Sequence, residues 1–140
     1  MASITRQHLG TGTLAALGLL GGLAACMPPA PPEVSGRALY VDYCAACHGD
    51  GGRGDGPAAA GQTPPPVDLT RLSARNRGEF PLVRVMSYID GYTRDTSEGM
   101  PEFGALLEGR MIPVETGPGI LTPTPEPLVA LADYLRSLQR

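Results

Sequence analysis

Five consecutive residues, Cys44-Ala45-Ala46-Cys47-His48, concentrate the reactive side chains of this 140-residue chain. Two thiols three positions apart and an adjacent imidazole fall within little more than one helical turn, so both sulfurs share a side of the backbone. Three chemistries use cysteines at this spacing. A thioredoxin-like dithiol belongs in a βαβ unit, whereas this motif is preceded by a helix-like segment and followed by a Gly/Pro-rich loop. A zinc site needs further Cys or His ligands, and the other histidine, His8, sits in an apolar leader-like stretch. The third is covalent haem attachment through C-x-x-C-H. Cys44 and Cys47 would reach the two vinyl-derived carbons on one porphyrin edge, and His48 would supply an axial nitrogen to iron.

Such a motif has to be held by regular elements, and the apolar spacing supplies them. Glu33 to Cys44 reads as a helix, with Ala38, Leu39, Val41 and the tyrosines Tyr40 and Tyr43 giving it an apolar side. Phe80 to Ile89 reads as a second helix. In Leu128 to Leu138 the leucines recur at three and four positions, with Pro127 and Thr124 as start signals. The composition agrees with short elements and long loops: 19 Gly, 15 Pro, 5% aromatic residues and no Trp. A centre filled by something other than aromatic side chains is the expectation.

The chain resembles the class I cytochrome c family over most of residues 34–140. Gly36 and Tyr40, eight and four positions before Cys44, match the family's glycine and aromatic that pack against its C-terminal helix. The resemblance implies an all-α cytochrome c fold, with helices and loops wrapped around one covalently bound haem c. It also implies a sixth iron ligand. Met100, in Glu98-Gly99-Met100-Pro101-Glu102, resembles the family's methionine loop; Met111 also has loop context, and Met86 reads as core filler on a helix. The glycine-rich run from Gly49 to Gly56 lacks the lysine of a phosphate-cradling loop and suits backbone wrapped close to a haem edge. By resemblance, the carbonyl of Pro57 accepts a hydrogen bond from the axial histidine ring. Pro64-Pro65-Pro66-Val67 resembles the family's loop bordering the haem. Arg71, Arg75 and Arg77 are expected to face solvent rather than a haem carboxylate. The segment from Arg110 to Glu126 is longer than a minimal cytochrome needs and carries no assigned role.

Residues 1–25 have the layout of a secretory signal, a weakly basic start followed by a short apolar stretch and small residues. Leu23-Ala24-Ala25-Cys26 resembles a bacterial lipobox, which implies cleavage before Cys26 and its lipidation. The division expected is a signal peptide at 1–25, a lipid-anchor cysteine with a Pro-rich linker at 26–35, and a cytochrome domain at 36–140. The odd count of three cysteines then needs no disulfide: one thiol for lipid and two for haem.

All eleven basic residues are arginines and none cluster, which excludes a nucleic-acid role. Beyond residue 25 ten arginines face fourteen acidic residues, a net charge near −4 that favours redox partners with basic docking faces. The function expected is single-electron transfer on the periplasmic side of a membrane, with no enzyme activity and no small-molecule substrate required. A haem-bearing subunit or sensor of a respiratory complex is the alternative, and a peroxidase-like enzyme ranks below it because only one attachment motif is present.

Overall fold

The computed structural model describes residues 33–92 and 99–140. The signal segment, the lipidation cysteine Cys26 and the proline run that follows it lie outside the described residues. Helix α1 spans Gly36–Tyr43. Its start is set by Ser35, whose hydroxyl accepts the Ala38 amide at 3.2 Å. The Cys44 amide still bonds the Tyr40 carbonyl at 2.9 Å, so α1 runs on into the single turn of α2, Ala45–His48. Gly49 ends that turn with a φ of 75°, a conformation that side chains disfavour. A long loop follows, punctuated by 3₁₀ turns at Pro57–Ala59, Leu69–Arg71 and Ala74–Asn76. It leads into α3, Leu82–Asp90, closed by Gly91 at φ 98°. The last helix, α4, spans Glu126–Ser137 with Pro127 in its first turn.

The helices meet where the sequence places its smallest residue. A Cβ on Gly36 would overlap the carbonyl oxygen of Ala130 in α4, so only glycine allows α1 and α4 to cross this closely. Beside the crossing Tyr40 is fully buried, its ring 5.2 Å from that of Tyr134. The Tyr40 hydroxyl donates to the Gly49 carbonyl at 2.6 Å, tying α1 to the turn after His48. Burial raises its phenol well above the usual tyrosine range. Leu128, Leu131 and Leu135 bury the apolar face of α4, and α3 adds Val85, Met86 and Ile89 to the same core. Each such leucine contributes about 1.5–3 kcal/mol.

Gly36→Ala is expected to destabilise the domain. Alanine is the better helix former by ~1 kcal/mol, but forcing a methyl against backbone costs about 1–3 kcal/mol or more because the crossing must open. The expected outcome is a fall of roughly 5–15 °C in melting temperature. An unchanged melting curve would show that the crossing tolerates a side chain.

One expectation about fold class requires correction. The domain is not all-α: residues Met111–Gly117 and Ile120–Pro125 form an antiparallel hairpin, β1 and β2. Along β1 Ile112 and Val114 are half-buried while Met111, Pro113 and Glu115 are exposed, the alternation of a half-buried strand; in β2 residues 120–123 are exposed and Thr124, opposite Ile112, is buried. The turn passes through Gly119 at φ 71°. The hairpin's base is closed by the Glu126 amide on the Arg110 carbonyl at 2.8 Å and by a two-pronged Arg110–Glu126 ion pair. Thr124, expected as a helix-start signal, belongs instead to β2. It is buried and donates to the Thr122 carbonyl at 3.1 Å, and Pro125 occupies the cap position of α4.

Candidate haem-binding site

The α1–α2 junction presents the motif on one wall of a cleft. Cys44 and His48 are buried and Cys47 is half-buried. Burial, and then the neighbouring Cys47 sulfur, push the Cys44 thiol up to about 11. That is the reverse of the lowered thiol that a thioredoxin-like dithiol needs. No group of three or more His, Cys, Asp or Glu able to hold a metal ion occurs among the described residues.

His48 is buried, and this lowers its pKa below the usual histidine value, with a hydrogen bond to Val67 opposing the shift. Its ring Nδ1 lies 3.2 Å from the Val67 carbonyl oxygen. A neutral imidazole donating from Nδ1 keeps its Nε2 lone pair for a metal. The acceptor therefore differs from the one expected. Pro57 opens an exposed 3₁₀ turn and lines neither cavity of the cleft, because its segment is drawn against α2 instead: a Cβ on Gly56 would overlap the Ala46 carbonyl. The chain returns to the histidine ring only at Val67, after the three prolines.

Two adjoining cavities make up the cleft, one of about 360 Å³ and one of about 110 Å³. Both are lined by Cys44, His48, Val67, Tyr88 and Met100. The structure thus brings together Cys44, Cys47, His48 and Met100 along the smaller cavity. Met86 is instead packed in the core and Met111 is 55% exposed on β1; neither lines the cleft. The lining of the larger cavity is mostly apolar, with Leu69, Leu72, Val85, Ile89 and Leu135, and also includes Arg75, Asn76 and Arg84. A largely apolar macrocycle that carries two carboxylates suits a lining of this composition, so the residues present fit a haem. All three arginines considered from the sequence are exposed, as expected; Arg75 also lines the larger cavity, its guanidinium donating to the Asp68 carbonyl at 3.3 Å, whereas Arg71 and Arg77 do not line it. Arg84 was missed, although its place four residues before Tyr88 on α3 puts both on one helix face.

Gln62 adds a contact no motif announces. Its side-chain amide donates to the Cys47 sulfur at 3.3 Å and to the Ala58 carbonyl at 2.8 Å, holding that sulfur toward the smaller cavity.

A buried histidine next to paired cysteines on a helical turn, lining one mostly apolar cleft together with a methionine, defines a c-type cytochrome domain. The chain belongs to the family described as "Cytochrome C oxidase, cbb3-type, subunit III", whose model matches residues 31–110. The matched stretch includes the attachment motif and Met100; the hairpin and α4 follow it. No match was found among curated proteins or among solved structures. A haem c-binding, electron-transferring domain follows from the family. No helix among the described residues is long and apolar enough to cross a membrane.

Proposed function

We propose that this protein is a mono-haem cytochrome that passes single electrons between redox proteins on the periplasmic side of a bacterial membrane. The observation that carries this reading is the shared cleft of Cys44, Cys47, His48 and Met100. When bound, the haem iron supplies the Fe(III)/Fe(II) couple. Cys44 and Cys47 would tether it by thioethers, His48 would donate its unprotonated nitrogen, and Met100 would offer a thioether whose softness favours the ferrous state. Val67 orients the imidazole, and the apolar walls exclude water from the couple. Arg75 and Arg84, which line the larger cavity, would be the cations available to the haem carboxylates.

The net charge near −4 beyond residue 25 supports partners with basic docking faces and transfer rates that fall as salt rises. Membership of this family favours one class of partner, a terminal oxidase assembly, with this chain either bound within it or docking to it. Cys26 is the attachment point for lipid, on the sequence Leu23-Ala24-Ala25-Cys26.

Optical spectra of the purified holoprotein in both oxidation states test the reading. The expected result is a low-spin spectrum whose pigment stays with the chain after unfolding. A high-spin ferric spectrum, or ready binding of carbon monoxide by the ferrous form, counts against a simple carrier. Mass spectrometry of membrane fractions is expected to find the chain beginning at an acylated Cys26; an unmodified soluble chain would remove the anchor from the proposal.

A further inference from the structure

The bond from His48 to the Val67 carbonyl raises a question of support. Val67 is 53% exposed, so its own side chain does little to place its carbonyl. The turn that follows is held from two directions. On one side the Leu69 amide bonds the Gly52 carbonyl at 2.7 Å, tying the turn to the loop just beyond α2. On the other side two residues past α4 grip it. The Gln139 amide nitrogen donates to the Leu69 carbonyl at 2.8 Å and to the Leu135 carbonyl at 2.7 Å, and its amide oxygen accepts the Ser73 amide at 2.9 Å. Arg140 gives its backbone amide to the Thr70 carbonyl at 3.1 Å and its Nε to the Thr70 hydroxyl at 2.8 Å. Its guanidinium also reaches Asp68 at 3.4 Å. Asp68 in turn accepts both the amide and the hydroxyl of Thr70, at 2.9 and 2.6 Å, and these bonds hold its carboxyl below the usual carboxylate range.

We infer that Gln139 and Arg140 are positioning residues for the axial histidine: they clasp the Asp68–Ser73 turn to α4 and so hold the Val67 carbonyl on the His48 ring. The inference rests on the reading of His48 as an iron ligand. The His48–Val67 contact, at 3.2 Å, is at the long end of hydrogen-bond lengths, where a displacement of a few tenths of an ångström weakens it steeply. A hydrogen bond at Nδ1 makes the imidazole a stronger donor through Nε2 and favours the ferric state. Loosening the clasp therefore shifts the couple toward the ferrous state. Because α4 is locked over α1 at Gly36, the clasp refers the carbonyl to the helix pair that carries the attachment motif.

The test compares the wild-type holoprotein with Gln139→Ala/Arg140→Ala and with Arg140→Lys, which keeps a cation and the backbone bond. At a fixed applied potential the double variant is expected to show a ferrous-to-ferric ratio about tenfold higher, the lower end of what outer partners of metal ligands contribute. Exchange of the His48 Nδ1 proton, followed by nuclear magnetic resonance, is expected to speed up about tenfold or more. Arg140→Lys should recover much of both. A variant that melts earlier but keeps the wild-type ratio and proton exchange would overturn the inference, since a merely structural clasp moves stability alone. If the wild-type protein itself lacks the signature of histidine-ligated haem, the underlying ligand reading fails instead.

Discussion

Replacing Cys44 and Cys47 together by alanine is expected to abolish covalent haem and, with it, most of the folded domain. The first effect is chemical: with neither sulfur present no thioether can form, and haem-dependent peroxidase staining on a denaturing gel should vanish. The second effect comes from the cleft. The larger cavity alone has a volume of about 360 Å³. Left empty, a void costs ~24 cal/mol per Å³, which here is on the order of 9 kcal/mol as an upper bound, since the cleft opens to water and its walls can close. That rivals the roughly 5–15 kcal/mol by which a whole domain is stable. Circular dichroism of the double variant should show a large loss of helix and no sharp melting transition. Each single variant retains one sulfur and should keep pigment on the chain. Stain that survives in the double variant would show that the haem is held by other means.

Met100→Ala is expected to have the second-largest effect, on electronic structure rather than on folding. Met100 is a half-buried residue between Gly99 and Pro101, at the cleft shared with His48. Removing its thioether takes away the sulfur-to-iron charge-transfer band in the near-infrared and leaves a position open to carbon monoxide. The reduction potential should fall by a few tenths of a volt, within the ~0.8 V range that axial ligands command. Met86→Leu and Met111→Leu serve as controls. Met86 is 5% exposed in the core and Met111 is on the outer face of the hairpin, so the band should survive in both. A band that persists in Met100→Ala and disappears in either control would reassign the ligand.

The attachment motif was legible because its chemistry demands adjacency: two sulfurs and an imidazole must sit on one turn, and no distant part of the chain can substitute. The α1 and α4 helices were legible for a similar reason, since the leucine spacing and the Gly36/Tyr40 pair are written in the elements themselves. The hairpin was hidden by Pro113, Pro118, Pro123 and Pro125, which suggest a loop, although Ile112 and Val114 and the threonines 122 and 124 alternate in the strand manner. Prolines are tolerated there because a two-stranded sheet consists only of edges, so a missing amide can face outward.

The histidine's partner was not legible at all. A backbone carbonyl has no sequence signature, and whether Pro57 or Val67 delivers it depends on how the loop is drawn, here by Gly56 against α2 and by Leu69 against Gly52. Arg84 and Gln62 escaped notice on the same grounds, for their roles follow from walls contributed by other segments.

The sequence by itself determined the kind of cofactor chemistry and the helices that frame it, because these depend on bonded neighbours and on the period of a helix. The tertiary structure alone decided which methionine shares a cleft with His48, which carbonyl bonds its ring and which arginines line the larger cavity. Those choices join residues that are tens of positions apart, and only the packing of α4 over α1 at Gly36, with the loop drawn in between, brings them within reach of one another.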